Sequence, residues 1–136
     1  MTPRLTTTIP VRNGQDFILQ TLESLARQTR WPDRVVVIDN CSTDRTEEIV
    51  RGFKGIPCEW VRNPRDVGLF GNFNRCLDYA DQTDYLQILH ADDALEPDFY
   101  SVMIGVLEDC ALRKSLNFLI ASANTKEDIK SKNSAR

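Results

Sequence analysis

The sequence lacks several features that would place it at once in a well-known class of protein. Its 136 residues contain one histidine and four cysteines, with none of the CxxC spacings that zinc or redox sites need. No apolar run is long enough to span a bilayer, and the first residues lack the apolar core of a signal peptide. We therefore expect a cytoplasmic protein with reduced thiols.

Charge of one sign is also missing. The 17 basic residues are interspersed among 20 acidic ones, for a net charge of -3, so we expect no nucleic-acid partner. Neither GxGxxG nor GxxxxGK[ST] occurs anywhere in the sequence. A dinucleotide-dependent hydride transferase and a P-loop phosphotransferase are therefore excluded.

Short β-branched segments alternate with amphipathic segments along the chain. This alternation predicts an α/β fold, a three-layer α/β/α Rossmann-like arrangement with a mainly parallel sheet. The predicted strands are 5–9, 35–38, 58–61 and 85–89, and Pro10 is expected to end the first because proline cannot donate to a sheet ladder. The predicted helices are 14–28, one capped by Asp44 with Glu47, one around 70–77, and one starting near Pro97. The inner face of the last helix is predicted to comprise Phe99, Val102, Met103, Val106 and Cys110.

Acidic and amide residues follow the predicted strands, at the edge where an open parallel sheet binds its ligands. The most distinctive of them are Asp92 and Asp93, which come directly after the fourth strand. Adjacent carboxylates are suitable ligands for Mg²⁺ or Mn²⁺ together with substrate phosphates. From composition alone, a solvated turn that begins a helix is the more frequent reason for such a pair, because acidic residues stabilise helix starts, and the metal site is the alternative.

Five sequence blocks over residues 5–109 resemble, in order and spacing, the family 2 glycosyltransferases of the GT-A fold. The blocks are TIPVRNG at 8–14, LESL at 22–25, VIDNCSTD at 37–44, Asn63 with Gly68 and Asn74, and HADD at 90–93 followed by Pro97. The resemblance implies an inverting transferase that moves a sugar from a nucleoside diphosphate to the hydroxyl of a glycan or lipid-linked acceptor. It also implies a divalent cation, Mn²⁺ or Mg²⁺.

The resemblance assigns roles to particular residues. Those implied to bind the nucleotide-sugar are Pro10, Val11, Asn13, Asp39, Asn40, Gly68, Asn74 and Asp92. Asp93, and possibly Asp92, is implied to bind the metal. The chain departs from the family at Asn40, where many members have a second aspartate, and at His90, where an aspartate is common. We interpret His90 as a packed residue at the strand end and not as a metal ligand.

No acidic residue after Asp93 matches the family's general base, which an inverting transfer requires. We therefore expect residues 1–110 to be the nucleotide-sugar-binding part of an incomplete GT-A domain. Residues 111–124 are expected to form one further element, and 125–136 a disordered polar tail. Two further partners are compatible with this interpretation: a membrane surface, contacted peripherally by the parts of the domain that this chain lacks, and a second copy of the chain in a homo-oligomer. The alternatives are a non-catalytic nucleotide-binding module or inactive fragment, and a nucleotidyltransferase, which would need a Gly-rich basic loop after the first strand.

Overall fold

The computed structural model describes residues 2–109, in which strands and helices alternate. The elements are β1 (Leu5–Val11), α1 (Ile18–Ala26), β2 (Arg34–Asp39), α2 (Thr46–Gly52), β3 (Glu59–Arg62), α3 (Gly68–Leu77), β4 (Tyr85–Ile88) and α4 (Phe99–Asp109). A short 3₁₀ turn, Ala80–Gln82, precedes β4. None of the helices within this range has both the length and the apolar character needed to cross a membrane. The expected elements at 111–124 and 125–136 lie outside the described residues.

The four strands form one parallel sheet in the order β3-β2-β1-β4. Strand β1 is central, with Ile9 opposite Val37 of β2 and Thr8 opposite Ile88 of β4. The continuous apolar run 35–38 is buried along its whole length because β2 is covered on both faces. The predicted α/β fold with a parallel sheet is confirmed.

Two apolar clusters, one on each face of the sheet, complete the three layers. On one face, Leu22 of α1, Val50 of α2 and Ile104 of α4 pack with Ile9 and the other inward residues of the strands. On the opposite face, Cys76 of α3 packs with Val36, Ile38 and Ile88, joined by Phe73. Burial raises the pKa of the Cys76 thiol to about 11, so this cysteine is a neutral packing residue.

The prediction that Pro10 ends the first strand is wrong. Strand β1 continues to Val11, and Pro10 lies opposite Ile38 of β2. The Thr8 carbonyl accepts from the Leu89 backbone, so the backbone groups of Thr8 face β4. Pro10 is two residues further along the strand, and its backbone therefore faces β4 as well. Because the pairing with β4 ends at Thr8, the missing N–H of Pro10 leaves no hydrogen bond unmade.

The predicted inner face of the last helix is only partly correct: Phe99 does pack against the core, but two of the other predicted residues face outward. Tyr100 and Ile104 are the buried residues of α4, whereas Val102 and Val106 are more than half exposed. The Tyr100 hydroxyl lies 2.6 Å from the Thr7 hydroxyl and donates to Gln87, both of which are buried in the sheet. These bonds set the rotation of α4 about its axis. The fifth predicted position, Cys110, lies outside the described residues.

The capping box predicted for α2 forms only in part. Asp44 does accept a hydrogen bond from the Thr46 backbone, at 3.0 Å, but the helix begins at Thr46, two residues after Asp44. Glu47 is therefore in the first turn and pairs with Arg51 at 2.8 Å, one turn further along α2. The reciprocal bond expected from Glu47 is replaced by this ion pair on the helix surface.

Candidate nucleotide-binding site

The turns that follow β1 and β2 are bonded to each other at the carboxyl edge of the sheet. Each turn contains a residue in the left-handed region, Asn13 with φ 51° and Cys41 with φ 60°. The Asn13 backbone donates to the Ser42 hydroxyl at 2.8 Å, and the Asn13 side-chain oxygen accepts from the Thr43 backbone at 2.8 Å. The two turns therefore form one surface.

A second set of bonds extends this connection to the start of α2. The Gly14 backbone donates to the Thr46 hydroxyl at 2.9 Å, and the Gln15 backbone donates to Asp44 at 3.1 Å. Desolvation works to raise the pKa of Asp44, but hydrogen bonds from Thr46 and Gln15 outweigh it and hold this pKa below its usual value. Asp44 is therefore a structural carboxylate that fixes the turn.

Asp39, the last residue of β2, has a side chain with no solvent exposure. Its two oxygens accept from the Ser42 backbone at 3.1 and 3.2 Å, and Arg62 donates to one of them at 3.0 Å. Arg62 also donates to the Ser42 carbonyl at 3.2 Å. Through these bonds the Asp39 carboxylate holds the turn after β2 and joins this turn to the end of β3.

Asn40 connects the end of β2 to the loop before α3. Its amide nitrogen donates to Asp66 at 2.9 Å, and its oxygen accepts from the Val67 backbone at 3.0 Å. Asp66 also accepts from the Gly68 backbone at 2.8 Å and forms an ion pair with Arg12. The Gly68 bond, followed by the Asn40 bond, lowers the pKa of Asp66, so this carboxylate is ionised at neutral pH.

Beneath this loop, two further asparagines are bonded side chain to side chain. Asn63 donates to Asn72 of α3 at 2.9 Å and to Asn40 at 3.2 Å. Asn72 in turn donates to the Ile38 carbonyl at 3.1 Å. Arg75 approaches the Asn63 oxygen at 3.4 Å. The amides of Asn40, Asn63 and Asn72 thus form a continuous path from β2 to α3.

A cavity of about 230 Å³ lies at the ends of β1, β2 and β4. Its walls are Pro10, Val11, Arg12, Asn40, Gly68, Leu69, Asn72, Phe73 and His90. The rings of Phe73 and His90 lie 5.2 Å apart, which places the only histidine against an aromatic side chain. The expectation that His90 is a packed residue agrees with this contact.

The acidic pair lies in the turn after β4, whose Asp93 backbone donates to the His90 carbonyl at 3.1 Å. Asp92 is exposed and Asp93 is half-buried. One bond from α1 and one from the residue two positions after it hold the segment that carries the pair. The Thr21 hydroxyl of α1 donates to the Ala91 carbonyl at 2.7 Å, and the Gln28 side chain donates to the Glu96 carbonyl at 2.6 Å. Within residues 2–109, no group of three or more acidic, histidine or cysteine side chains could hold a metal.

The structure brings most of the predicted site residues to one edge. Pro10, Val11, Asn40 and Gly68 line the cavity, while Asn13 and Asp39 brace the adjoining turns. Asn74 is exposed on α3 and Asp92 is exposed after β4, and neither lines the cavity. The sequence interpretation missed Arg12, Asn63 and Asn72 as site residues, although all three lie in or beside the quoted sequence blocks.

The parallel sheet, with a cavity, an acidic turn and linked amides at its carboxyl edge, defines an open-sheet α/β protein, a class in which ligands commonly bind at the strand ends. The sequence profile described as Glycosyl transferase family 2 matches residues 6–128. The chain therefore belongs to glycosyl transferase family 2.

Individual relatives and solved structures agree with this assignment. Abequosyltransferase RfbV of Salmonella typhimurium is 30% identical over 108 residues, covering 76% of this chain and 32% of that protein. A PGL/p-HBAD biosynthesis glycosyltransferase of Mycobacterium tuberculosis is 34% identical over 95 residues, covering 68% of this chain and 37% of that protein. The chain thus spans about a third of the length of the curated relatives it matches.

Among solved structures, S. aureus TarS 1-349 in complex with UDP superposes with a TM-score of 0.69 at 24% identity. The superposition covers 78% of this chain and 32% of that one, and it shows the shared GT-A fold. The mannosyltransferase PcManGT from Pyrobaculum calidifontis, in complex with GDP-Man and Mn²⁺, superposes with a TM-score of 0.60 at 26% identity. That superposition covers 70% of this chain and 29% of that one.

Proposed function

We propose that this chain binds a nucleoside-diphosphate sugar at the carboxyl edge of its sheet and forms the donor side of a glycosyltransferase. The observation that carries the proposal is the cavity at the ends of β1, β2 and β4, with an acidic turn directly after β4. The ligands named for two proteins of similar fold support this chemical class: UDP, for TarS, is a nucleoside diphosphate, and GDP-Man, named with Mn²⁺ for the mannosyltransferase, is a nucleoside-diphosphate sugar.

The proposed roles follow the position of each residue. Pro10 and Val11 form the wall on the β1 side, and Asn13 shapes the turn beside it. Asp39 and Asn40 form the side of the site that receives the nucleobase, and their side chains fix the surrounding turns.

The remaining proposed contacts lie on α3 and after β4. Gly68 belongs to the wall formed by the start of α3, and Asn74 lies further along the same helix. Asp92 would contact the ribose or the metal. Arg12 is the one arginine or lysine among the wall residues within 2–109, and it would contact the diphosphate from its place beside Asp66.

The donor set of the acidic turn fits a cation shared with the substrate. Mg²⁺ and Mn²⁺ are commonly held by one or two carboxylates together with substrate phosphates and water, and a complete protein cage is not required. Asp93, assisted by Asp92, would hold such a cation, which would neutralise the diphosphate as it leaves. The half-buried position of Asp93 and the bonds that anchor residues 91–96 keep this carboxylate at a fixed place.

We propose that transfer proceeds with inversion, from the donor to a hydroxyl of a glycan or lipid-linked acceptor, on the cytoplasmic side. Inversion requires a general base on the acceptor side. Glu108 of α4 does not suit this role, because it accepts a hydrogen bond from Tyr85, the first residue of β4, at the opposite edge of the sheet. A nucleotide-binding module without transferase activity is therefore the second candidate.

Calorimetry with UDP and GDP, each with Mn²⁺, with Mg²⁺ and with EDTA, tests the binding proposal. We expect binding that is tighter with either metal, and Asp93→Ala should remove this enhancement. Asp81→Ala is the control, because Asp81 is exposed on the 3₁₀ turn at the far end of β4. Binding that is independent of metal and unaffected by Asp93→Ala would contradict the site assignment. A donor hydrolysis or transfer assay then separates an enzyme from a binding module.

A further inference from the structure

Three buried asparagines from three different parts of the chain meet at the cavity, two of them in its wall and the third behind it. Asn40 follows β2, Asn63 follows β3 and Asn72 is in α3, and their exposed fractions are only 3%, 2% and 4%. We call this set the asparagine cluster. Buried amides that bond to each other in this way are retained only where every polar group has a partner.

The cluster uses its hydrogen-bonding groups to join α3 and its preceding loop to the sheet. Asn63 bonds Asn40 and Asn72 together, and Asn72 donates to the Ile38 carbonyl of β2. Asn40 binds Asp66 and the Val67 backbone, which precede the first residue of α3. The end of β2 thereby fixes both the loop and the first turns of the helix.

Apolar packing contributes little to the position of the start of α3. Leu69 and Phe70 are 67% and 82% exposed, and the buried apolar residue of this helix, Cys76, lies two turns further along. Gly68, with φ 75°, has no side chain to pack. The amide bonds are therefore the main attachment of residues 66–70, while Phe73, further along the same wall, packs against Val36, Ile38 and Cys76. Residues 68–73 together supply four of the nine wall residues of the cavity.

We propose that Asn63 and Asn72 are positioning residues that preform the α3 wall of the nucleotide cavity. A wall that is already in place when the ligand arrives avoids the entropic cost of ordering it on binding. This inference rests on the proposed function for the identity of the ligand. The role of the asparagine cluster in fixing the wall can be measured without any ligand.

The experiment compares Asn72→Leu with Thr83→Val. Asn72→Leu keeps the size of the side chain but removes the bond to the Ile38 carbonyl and the oxygen that accepts from the buried Asn63 amide. Thr83→Val is the matched control, because it removes buried hydroxyl bonds, at 3.0 Å to the Arg4 and Tyr85 carbonyls, at the opposite edge of the sheet. Amide hydrogen exchange is measured on the free proteins, and UDP and GDP affinities are measured by calorimetry with Mn²⁺.

For Asn72→Leu we expect faster exchange confined to residues 63–73 and about a tenfold rise in Kd, the change that corresponds to 1.4 kcal/mol. Thr83→Val should leave both quantities in this region unchanged. The double variant Asn63→Ala/Asn72→Ala should lose no more affinity than the more severe single variant, because the two amides act as a unit. Asn63→Ala removes the bonds to Asn40 and Asn72 from the other side of the cluster, so it should show the same pattern, and it serves as the test variant should Asn72→Leu fail to fold.

The outcomes separate this inference from the proposed function. If the wild type binds neither nucleotide, the proposed function fails and the positioning role fails with it, whereas the exchange data still decide whether the cluster holds the wall. If exchange rises at 63–73 while nucleotide Kd is unchanged, the positioning role is overturned and the proposed function stands. Exchange that rises equally across the whole sheet would show a general structural role and would also overturn the inference.

Discussion

The substitution Asp39→Asn distinguishes two roles of the carboxylate at the end of β2. The side chain is fully buried and accepts from two donors, the Ser42 backbone and the Arg62 guanidinium. An asparagine has the same shape but only one oxygen, so its NH₂ group must face at least one of these donors. A buried donor that loses its partner costs about 1–3 kcal/mol, and more where the bond is charge-assisted.

The half-exposed position of the Arg62 side chain reduces this cost, because water can reach its guanidinium. We therefore expect Asp39→Asn to lower the free energy of unfolding by ~2 kcal/mol. With a urea m-value of about 2 kcal/mol/M, the midpoint of urea denaturation would fall by roughly 1 M. Circular dichroism during urea titration measures this midpoint, and Asp81→Asn, at an exposed position, is the control.

Nucleotide affinity is measured on the same proteins. If the carboxylate holds the turn at Ser42, Asp39→Asn weakens UDP and GDP binding by the same factor, because the whole surface loosens. The reasoning is refuted by an unchanged unfolding free energy together with an altered ratio of UDP to GDP affinity. That pattern would show that the carboxylate reads the base directly.

Two further predictions concern α4 and the loop before α3. Tyr100→Phe removes the hydroxyl bonds to Thr7 and Gln87 and should lower the free energy of unfolding by about 1–3 kcal/mol in denaturant titrations. Tyr79→Phe, which keeps the half-buried ring that packs beside Cys76 and faces Arg34, is the control and should change this free energy less. Because the pKa of Asp66 is lowered, its bonds to the loop persist above the ordinary aspartate value of 3.8 and are lost only as the pH falls through the lower folded value. The NMR signal of the Gly68 amide should therefore titrate below pH 3.8, and a midpoint at or above that value would contradict the assignment.

Patterns confined to one stretch of sequence were sufficient to predict the order of elements and the parallel sheet. The run 35–38 is apolar at every position because both faces of β2 are covered, and this pattern can be read from those four residues alone. The rotation of α4 about its axis, in contrast, is set by residues far away in the sequence. Apolar residues occur on nearly all sides of this helix, so periodicity could not select Tyr100 over Val102 as an inward residue. The partners of the Tyr100 hydroxyl, which lie in β1 and β4, make that selection.

The candidate site shows the same division. The blocks of residues after each strand predicted which segments meet, since the carboxyl ends of parallel strands share one edge. They could not show that Asn63 and Asn72 bond to each other, because nothing in a single sequence pairs one amide with another. Pro10 illustrates the converse error: the general rule against proline in strands failed because β4 ends before it.

The bonds between the turns after β1 and β2 also have a consequence for the order of folding. Asn13 and Ser42 are 29 residues apart, and Gly14 and Thr46 are 32 residues apart. The strand pairing itself joins residues that are equally far apart, such as Val11 and Asp39. The turn bonds therefore close loops of about the same length as the strand ladder and add little further entropic cost. We expect the sheet and its carboxyl edge to fold together, so nucleotide binding during refolding should appear with the circular dichroism signal of the strands.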